Sequence, residues 1–134
     1  MTLRDRIKQH EGFRLEPYKD SLGILTVGYG RNLEAIPFTM AEVELMFESD
    51  FRRAEQGAEN FSFYEGLNDA RKGVLIEMIY QMGPSRVGKF RKFIAASMRR
   101  RWKEAAAEMR DSRWHSQTTK RCEELADIFE RGEE

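Results

Sequence analysis

Residues Leu25-Thr26-Val27-Gly28-Tyr29-Gly30 alternate apolar with small or polar side chains, a period of two in a chain whose later apolar residues recur at helical spacing. A chain that begins with one short sheet and continues in helices folds as an α+β protein, with the sheet set apart from a helical bundle. Ser21-Leu22-Gly23 supplies the turn, so the period-two stretch predicts a hairpin over residues 18 to 29 centred on Gly23. On that register Asp20 faces Thr26, and both side chains point to one face of the pleat. Leu25, Val27 and Tyr29 then pack the other face against a core.

Helix signals flank the hairpin. Thr2 followed by Asp5 predicts an N-cap, Leu3, Ile7 and Glu11 share one face, and Gly12 stops the helix. Thr39-Met40-Ala41-Glu42 is a capping box, and Val43, Phe47, Phe51 and Ala54 continue an apolar stripe behind it for about four turns. Asn68 caps a further helix carrying Val74, Leu75, Met78, Ile79 and Met82, which Gly83-Pro84 ends. Shorter helices follow around Phe90 to Met98, Trp102 to Met109 and Cys122 to Phe129. The expected layout is a hairpin lobe at about 13–38, a connecting helix at 40–58, and a larger helical lobe from 1–12 and 60–134.

The 134 residues, 40% hydrophobic and 34% charged, make one compact domain, not a disordered chain. A single cysteine, Cys122, excludes an intramolecular disulfide and a cysteine-based zinc site, and its helical spacing places it in the core. The first residues hold no apolar run of signal-peptide length, so cytoplasmic synthesis is the expectation. Net charge is zero, yet residues 1 to 67 carry 8 Lys+Arg against 12 Asp+Glu. The run from Ser85 to Lys103 holds eight basic residues and no acidic one, so it is either a solvated face or a surface for a polyanion.

Two carboxyl groups in unlike settings are what glycoside hydrolysis uses. Glu11 ends a helix, where the dipole disfavours negative charge, the setting of a general acid. Asp20 and Thr26, side by side on the hairpin with Gly28 and Gly30 leaving room, make a place to hold a water. Spacing alone leaves two readings open: an active site, or an ordinary helix and hairpin in which Thr26 is simply a good strand former.

"HEG" at 10–12, "YKD" at 18–20 and "TVGYG" at 26–30, followed by "IYQMG" at 79–83, "RWKEAA" at 101–106 and "SRWHSQT" at 112–118, resemble the lysozymes of the T-even bacteriophages and related endolysins, glycoside hydrolase family 24. The resemblance covers nearly the whole chain. It implies a lysozyme-like fold and inverting hydrolysis of the β-1,4 bond between N-acetylmuramic acid and N-acetylglucosamine in bacterial peptidoglycan. Glu11 would be the general acid, with Asp20 and Thr26 activating the water. Arg121 would orient Glu11, and Gly30, Asn32, Tyr80 and Gln81 would contact substrate. No metal or organic cofactor is implied. The partner would be the cell wall, with transient contact to an anionic envelope, no nucleic acid, and a monomeric enzyme released from the host cytoplasm by a separate lysis protein.

The sequence also departs from the family. Two further sugar-contact positions fall at Phe93 and Glu108, where relatives carry smaller polar residues. Relatives have a histidine where Arg31 stands, paired with an aspartate that matches Asp50, so an Arg31–Asp50 ion pair is expected. His10, beside Glu11, reads as a surface residue or helix cap. Two other functions compete: a lytic transglycosylase, which Asp20 and Thr26 argue against, and a catalytic relic that binds envelopes through residues 85–103, which the intact trio argues against.

Overall fold

The computed structural model describes all residues from Met1 to Glu134, and it divides into two compact units, Met1–Leu45 and Met46–Glu134. The fold is α+β, with eight helices and one antiparallel sheet of three strands in the order β1-β2-β3.

The first unit opens with α1, Leu3–Glu11. Thr2 Oγ1 accepts the Asp5 N–H at 3.1 Å and Asp5 accepts the Thr2 N–H at 3.2 Å, so both halves of the capping box form. Gly12 stops the helix at φ 64°, a left-handed value that favours glycine. The sheet follows as β1, Arg14–Lys19, β2, Leu25–Gly28, and β3, Arg31–Asn32. Residues 1–12 fall in the same unit as this sheet. Tyr29 draws them together, since Phe13 packs on its ring at 6.0 Å and Lys8 Nζ lies 5.3 Å from its centroid.

The hairpin register differs from the expected one. Tyr18 pairs with Thr26 and Lys19 with Leu25, so the turn centres on Leu22 and not on Gly23. Asp20 N–H donates to Ile24 O at 2.9 Å, closing a three-residue loop in which Gly23 takes the left-handed φ of 81°. That glycine belongs at the last loop position, because the loop needs its positive φ there. The parity of the prediction survives: Asp20 and Thr26 share a face, as diagonal neighbours. The covered face is the reverse of expectation, however. Thr26 is only 3% exposed, whereas Leu25 and Tyr29 are open to solvent. Thr26 stands at the middle of the central strand, opposite Tyr18 on one side and Asn32 on the other, so neighbouring strands shield it.

Helix α2, Met40–Glu59, starts on the Thr39–Glu42 capping box and runs for 20 residues, longer than four turns. Ala54, Gly57 and Ala58 extend its buried face beyond the stripe recognised in the sequence. Val43, Phe47 and Phe51 on that stripe remain more than a third exposed.

In the second unit α3, Asp69–Met82, begins at Asn68, whose Oδ1 accepts the Arg71 N–H, and ends at Gly83. Pro84 opens α4, Pro84–Val87, where its missing N–H costs nothing. Helices α5, Arg91–Met98, α6, Trp102–Arg110, α7, Arg113–Gln117, and α8, Thr119–Arg131, complete the bundle. Its core packs Phe93 against Phe129 at 5.2 Å, Trp102 edge-on to Phe129 at 5.6 Å, and Leu75, Met78, Met109 and Trp114 around them. Cys122 is fully buried as expected, and burial pushes its thiol up to about 11. No helix is long and apolar enough to cross a membrane.

Candidate active site

The first unit carries Glu11, Asp20, Thr26 and Gly30. Glu11 is the last residue of α1, and its carboxylate lies directly against the turn between β2 and β3. A Cβ at Gly30 would stand 2.6 Å from Glu11 Oε2 and 3.2 Å from Cδ, so the exposed Glu11 side chain would have to swing aside. Gly30 also has φ 74°. Both the close approach and the left-handed backbone therefore call for glycine at this position. The sequence reading had Gly30 as a wall of the sugar site; it is also the surface on which the acid rests.

Asp20 is held by its own turn. Its Oδ1 accepts the N–H groups of Leu22 at 2.8 Å and Ile24 at 2.9 Å, which fixes the carboxylate and leaves Oδ2 outside these bonds. The Thr26 hydroxyl donates to Ile24 O at 2.8 Å, so its oxygen keeps the capacity to accept a hydrogen bond. Asn32 spends its Oδ1 on Glu34 N–H and Ala35 N–H, at 2.8 and 2.9 Å, so its Nδ2 is the end left for a ligand. Glu34 in turn accepts the Leu25 N–H at 2.7 Å and satisfies a backbone donor of β2. No grouping of three or more His, Cys, Asp or Glu side chains is placed to hold a metal ion.

Arg31 has a partner other than the expected one. Its guanidinium pairs with both carboxylate oxygens of Glu42, donates to Pro37 O at 2.9 Å, and lies 4.6 Å from the Phe38 ring centroid. Asp50 pairs instead with Arg53 at 3.2 Å on its own helix. The reason is reach: Glu42 sits in the first turn of α2, close in sequence to the strand, whereas Asp50 lies eight residues, about 12 Å, further along that helix. The Arg31 guanidinium, followed by hydrogen bonds from Thr39, holds the Glu42 carboxyl down at about 2. The i, i+3 spacing of Asp50 and Arg53 already favoured that pair, and the capping role of Glu42 concealed its second partner.

In the second unit Tyr80 is 43% exposed and packs on Phe47 at 5.8 Å. Phe47, Phe51, Tyr80, Glu77 and Arg121 line a largely apolar recess of ≈ 300 Å³. Arg121 donates Nε–H to Glu77 at 2.8 Å. Gln81 is drawn inward: its Oε1 accepts the Trp114 indole N–H at 3.0 Å, and its Nε2 donates to Thr118 at 3.4 Å. Both ends of that amide are thus occupied by the bundle. Phe93, placed by the sequence reading at a sugar-contact position, is 1% exposed and belongs to the core. Glu108 borders a recess of ≈ 350 Å³ with Lys89, Arg91, Lys92 and Asp111.

The model of the phage lysozyme family matches residues 8–132. Among curated proteins, the probable T4-type lysozyme 2 of Dictyostelium discoideum is 34% identical, with 98% of this chain and 95% of that protein covered. The pre-baseplate central spike protein Gp5 of Enterobacteria phage T4 is 26% identical across 96% of this chain, which spans 28% of Gp5. The peptidoglycan hydrolase gp36 of Pseudomonas phage phiKMV is 32% identical across 90% of this chain and 14% of its own length. A family match across nearly the whole chain, with Glu11, Asp20 and Thr26 gathered in one unit, leaves a single assignment: this chain belongs to the phage lysozyme family and is a glycoside hydrolase.

Proposed function

We propose that the chain cleaves the β-1,4 bond between N-acetylmuramic acid and N-acetylglucosamine in peptidoglycan, with inversion at the anomeric carbon, as a lysis enzyme released to the wall from the host cytoplasm. The observation that carries this reading is the seating of Glu11 against Gly30, in the same unit as the turn-locked Asp20. A carboxyl group against the glycine turn, in the same unit as a second carboxylate fixed by its own loop, suits a reaction that needs a proton on one face of a sugar and a water on the other.

Glu11 gives its proton to the glycosidic oxygen as the bond to the anomeric carbon breaks. A water held by Asp20 Oδ2 and the Thr26 oxygen attacks the opposite face, and Asp20 takes the proton that this water sheds. Two backbone N–H groups hold Asp20, so it has little freedom to rotate away during attack. Asn32 Nδ2 in the same unit offers a contact to sugar.

The test is a turbidity assay on purified walls with wild type and Glu11→Gln, joined to mass spectrometry of the soluble products. Clearing by wild type alone, with reducing ends on muramic acid, supports the reading. Equal clearing by both proteins overturns the role of Glu11. Anhydro-muramic ends would instead establish a lytic transglycosylase, in which the muramic acid 6-hydroxyl attacks and no water enters.

A further inference from the structure

The basic run from Ser85 to Lys103 is not consumed by the hydrolytic site, and α5 gathers part of it on one face. At 100° per residue, Arg91, Lys92, Ala95, Met98 and Arg99 fall within about 120° of arc on α5. All five are solvent-facing, while Phe93, Ala96 and Ser97 on the opposite side are buried. Arg100, Arg101 and Lys103 continue the exposed cationic surface into the start of α6. Of the eight basic residues only Arg101 has a carboxylate partner in its unit, Glu104 at 3.7 Å. Glu108 and Asp111 border the recess beside Lys89, Arg91 and Lys92 and weaken the field at that edge. Arg99, Arg100 and Lys103 line no part of that recess.

The composition of the arc distinguishes among polyanions. Met98 is 58% exposed at the C-terminal edge of that arc, next in the chain to Arg99 and bordering a shallow recess with Arg100. An apolar side chain there gains nothing from a soluble phosphate polymer but gains burial in the boundary between headgroups and acyl chains. Bases of a nucleic acid would call for exposed stacking rings, yet Phe90 and Trp102 are half-buried and Phe93 is buried. From this juxtaposition we infer that the outer face of α5, with Arg91 and Lys92 at its start and the exposed Met98 and Arg99 at its end, docks on an anionic lipid bilayer. The cations meet lipid phosphates and Met98 enters the interface.

The experiment is flotation of the full chain with phosphatidylcholine vesicles, with and without phosphatidylglycerol. Binding is expected only to the anionic vesicles, and to fall as salt rises. The combined Arg91→Gln, Lys92→Gln, Arg99→Gln variant should lower the partition coefficient on the order of 100-fold, since each cation near a charged bilayer contributes roughly a fivefold factor. Met98→Ser should lower vesicle binding about fivefold, yet leave retention on immobilised polyphosphate unchanged. All four positions are exposed, and circular dichroism checks that the variants fold. Failure of wild type to float with anionic vesicles, undiminished binding by the triple variant, or no effect of Met98→Ser overturns the inference. Tighter binding to duplex DNA than to the vesicles does so too. Glu11→Gln, measured in parallel, should float like wild type, so lipid docking and wall hydrolysis are judged separately.

Discussion

The carboxylate of Glu11 rests on Gly30, with Oε2 occupying space that a Cβ at residue 30 would need. This contact ties the end of α1 to the turn between β2 and β3. It leaves the carboxylate open to solvent, since both residues stay exposed.

Gly30→Ala and Gly28→Ala should therefore behave differently. Both replace a glycine at positive φ, 74° and 65°, and each should lose about 1–2 kcal/mol of stability from that alone. At Gly28 the added methyl meets nothing within 4 Å, while at Gly30 it collides with Glu11. Wall clearing should fall on the order of 100-fold in Gly30→Ala, as displacement of a reacting group does, and far less in Gly28→Ala. Equal activity of the two variants would show that the Glu11 seat is dispensable.

The pairing of Glu42 with Arg31 predicts acid sensitivity of the first unit. The Glu42 carboxyl titrates near about 2 in the folded chain against an ordinary 4.5. A depressed carboxyl contributes stability that is complete above its unfolded value and is lost as pH falls through the folded one. Denaturation followed from pH 4.5 down to about 2 should show stability declining, and Glu42→Gln should flatten that decline. The arginine stays charged throughout, so no change near neutral pH should arise from this pair.

Gln81 should prove structural. Its Oε1 accepts the indole N–H of Trp114, which is 2% exposed. Gln81→Leu leaves that buried donor unpaired and should cost about 1–3 kcal/mol in urea denaturation. A Gln81 that only touched sugar would leave stability within about 0.5 kcal/mol of wild type.

Cys122 should be inert in the folded protein. Its side chain is fully buried, its Sγ donates to Met109 O at 3.4 Å, and its thiol titrates near about 11. Ellman's reagent at about pH 8 should react with it only after denaturant is added, because the thiolate is the nucleophile and the site excludes the reagent. Prompt reaction of the native chain would contradict this burial.

What could be read in the sequence is what neighbouring residues decide among themselves. The caps at Thr2, Thr39 and Asn68 join residues three apart, and the stops at Gly12 and Gly83 follow from backbone conformations of single residues. The α+β order and the shared face of Asp20 and Thr26 follow from periodicity, which survived even the shift of the turn centre to Leu22. That shift itself was not legible, because a two-residue change of register keeps every side chain on its face.

Tertiary structure alone decided the rest. Arg31 could reach several carboxylates along the sequence, and only the folded path from β3 into α2 selected Glu42. The resemblance put Gln81 and Phe93 at sugar-contact positions, and only the bundle gave one an indole to bond and the other a ring to pack against. The helix end made Glu11 a candidate acid, but its position over Gly30 exists only because α1 and the glycine turn, 19 residues apart, meet in one unit. Local free energies set caps, turns and periods; such meetings depend on how the whole chain closes on itself.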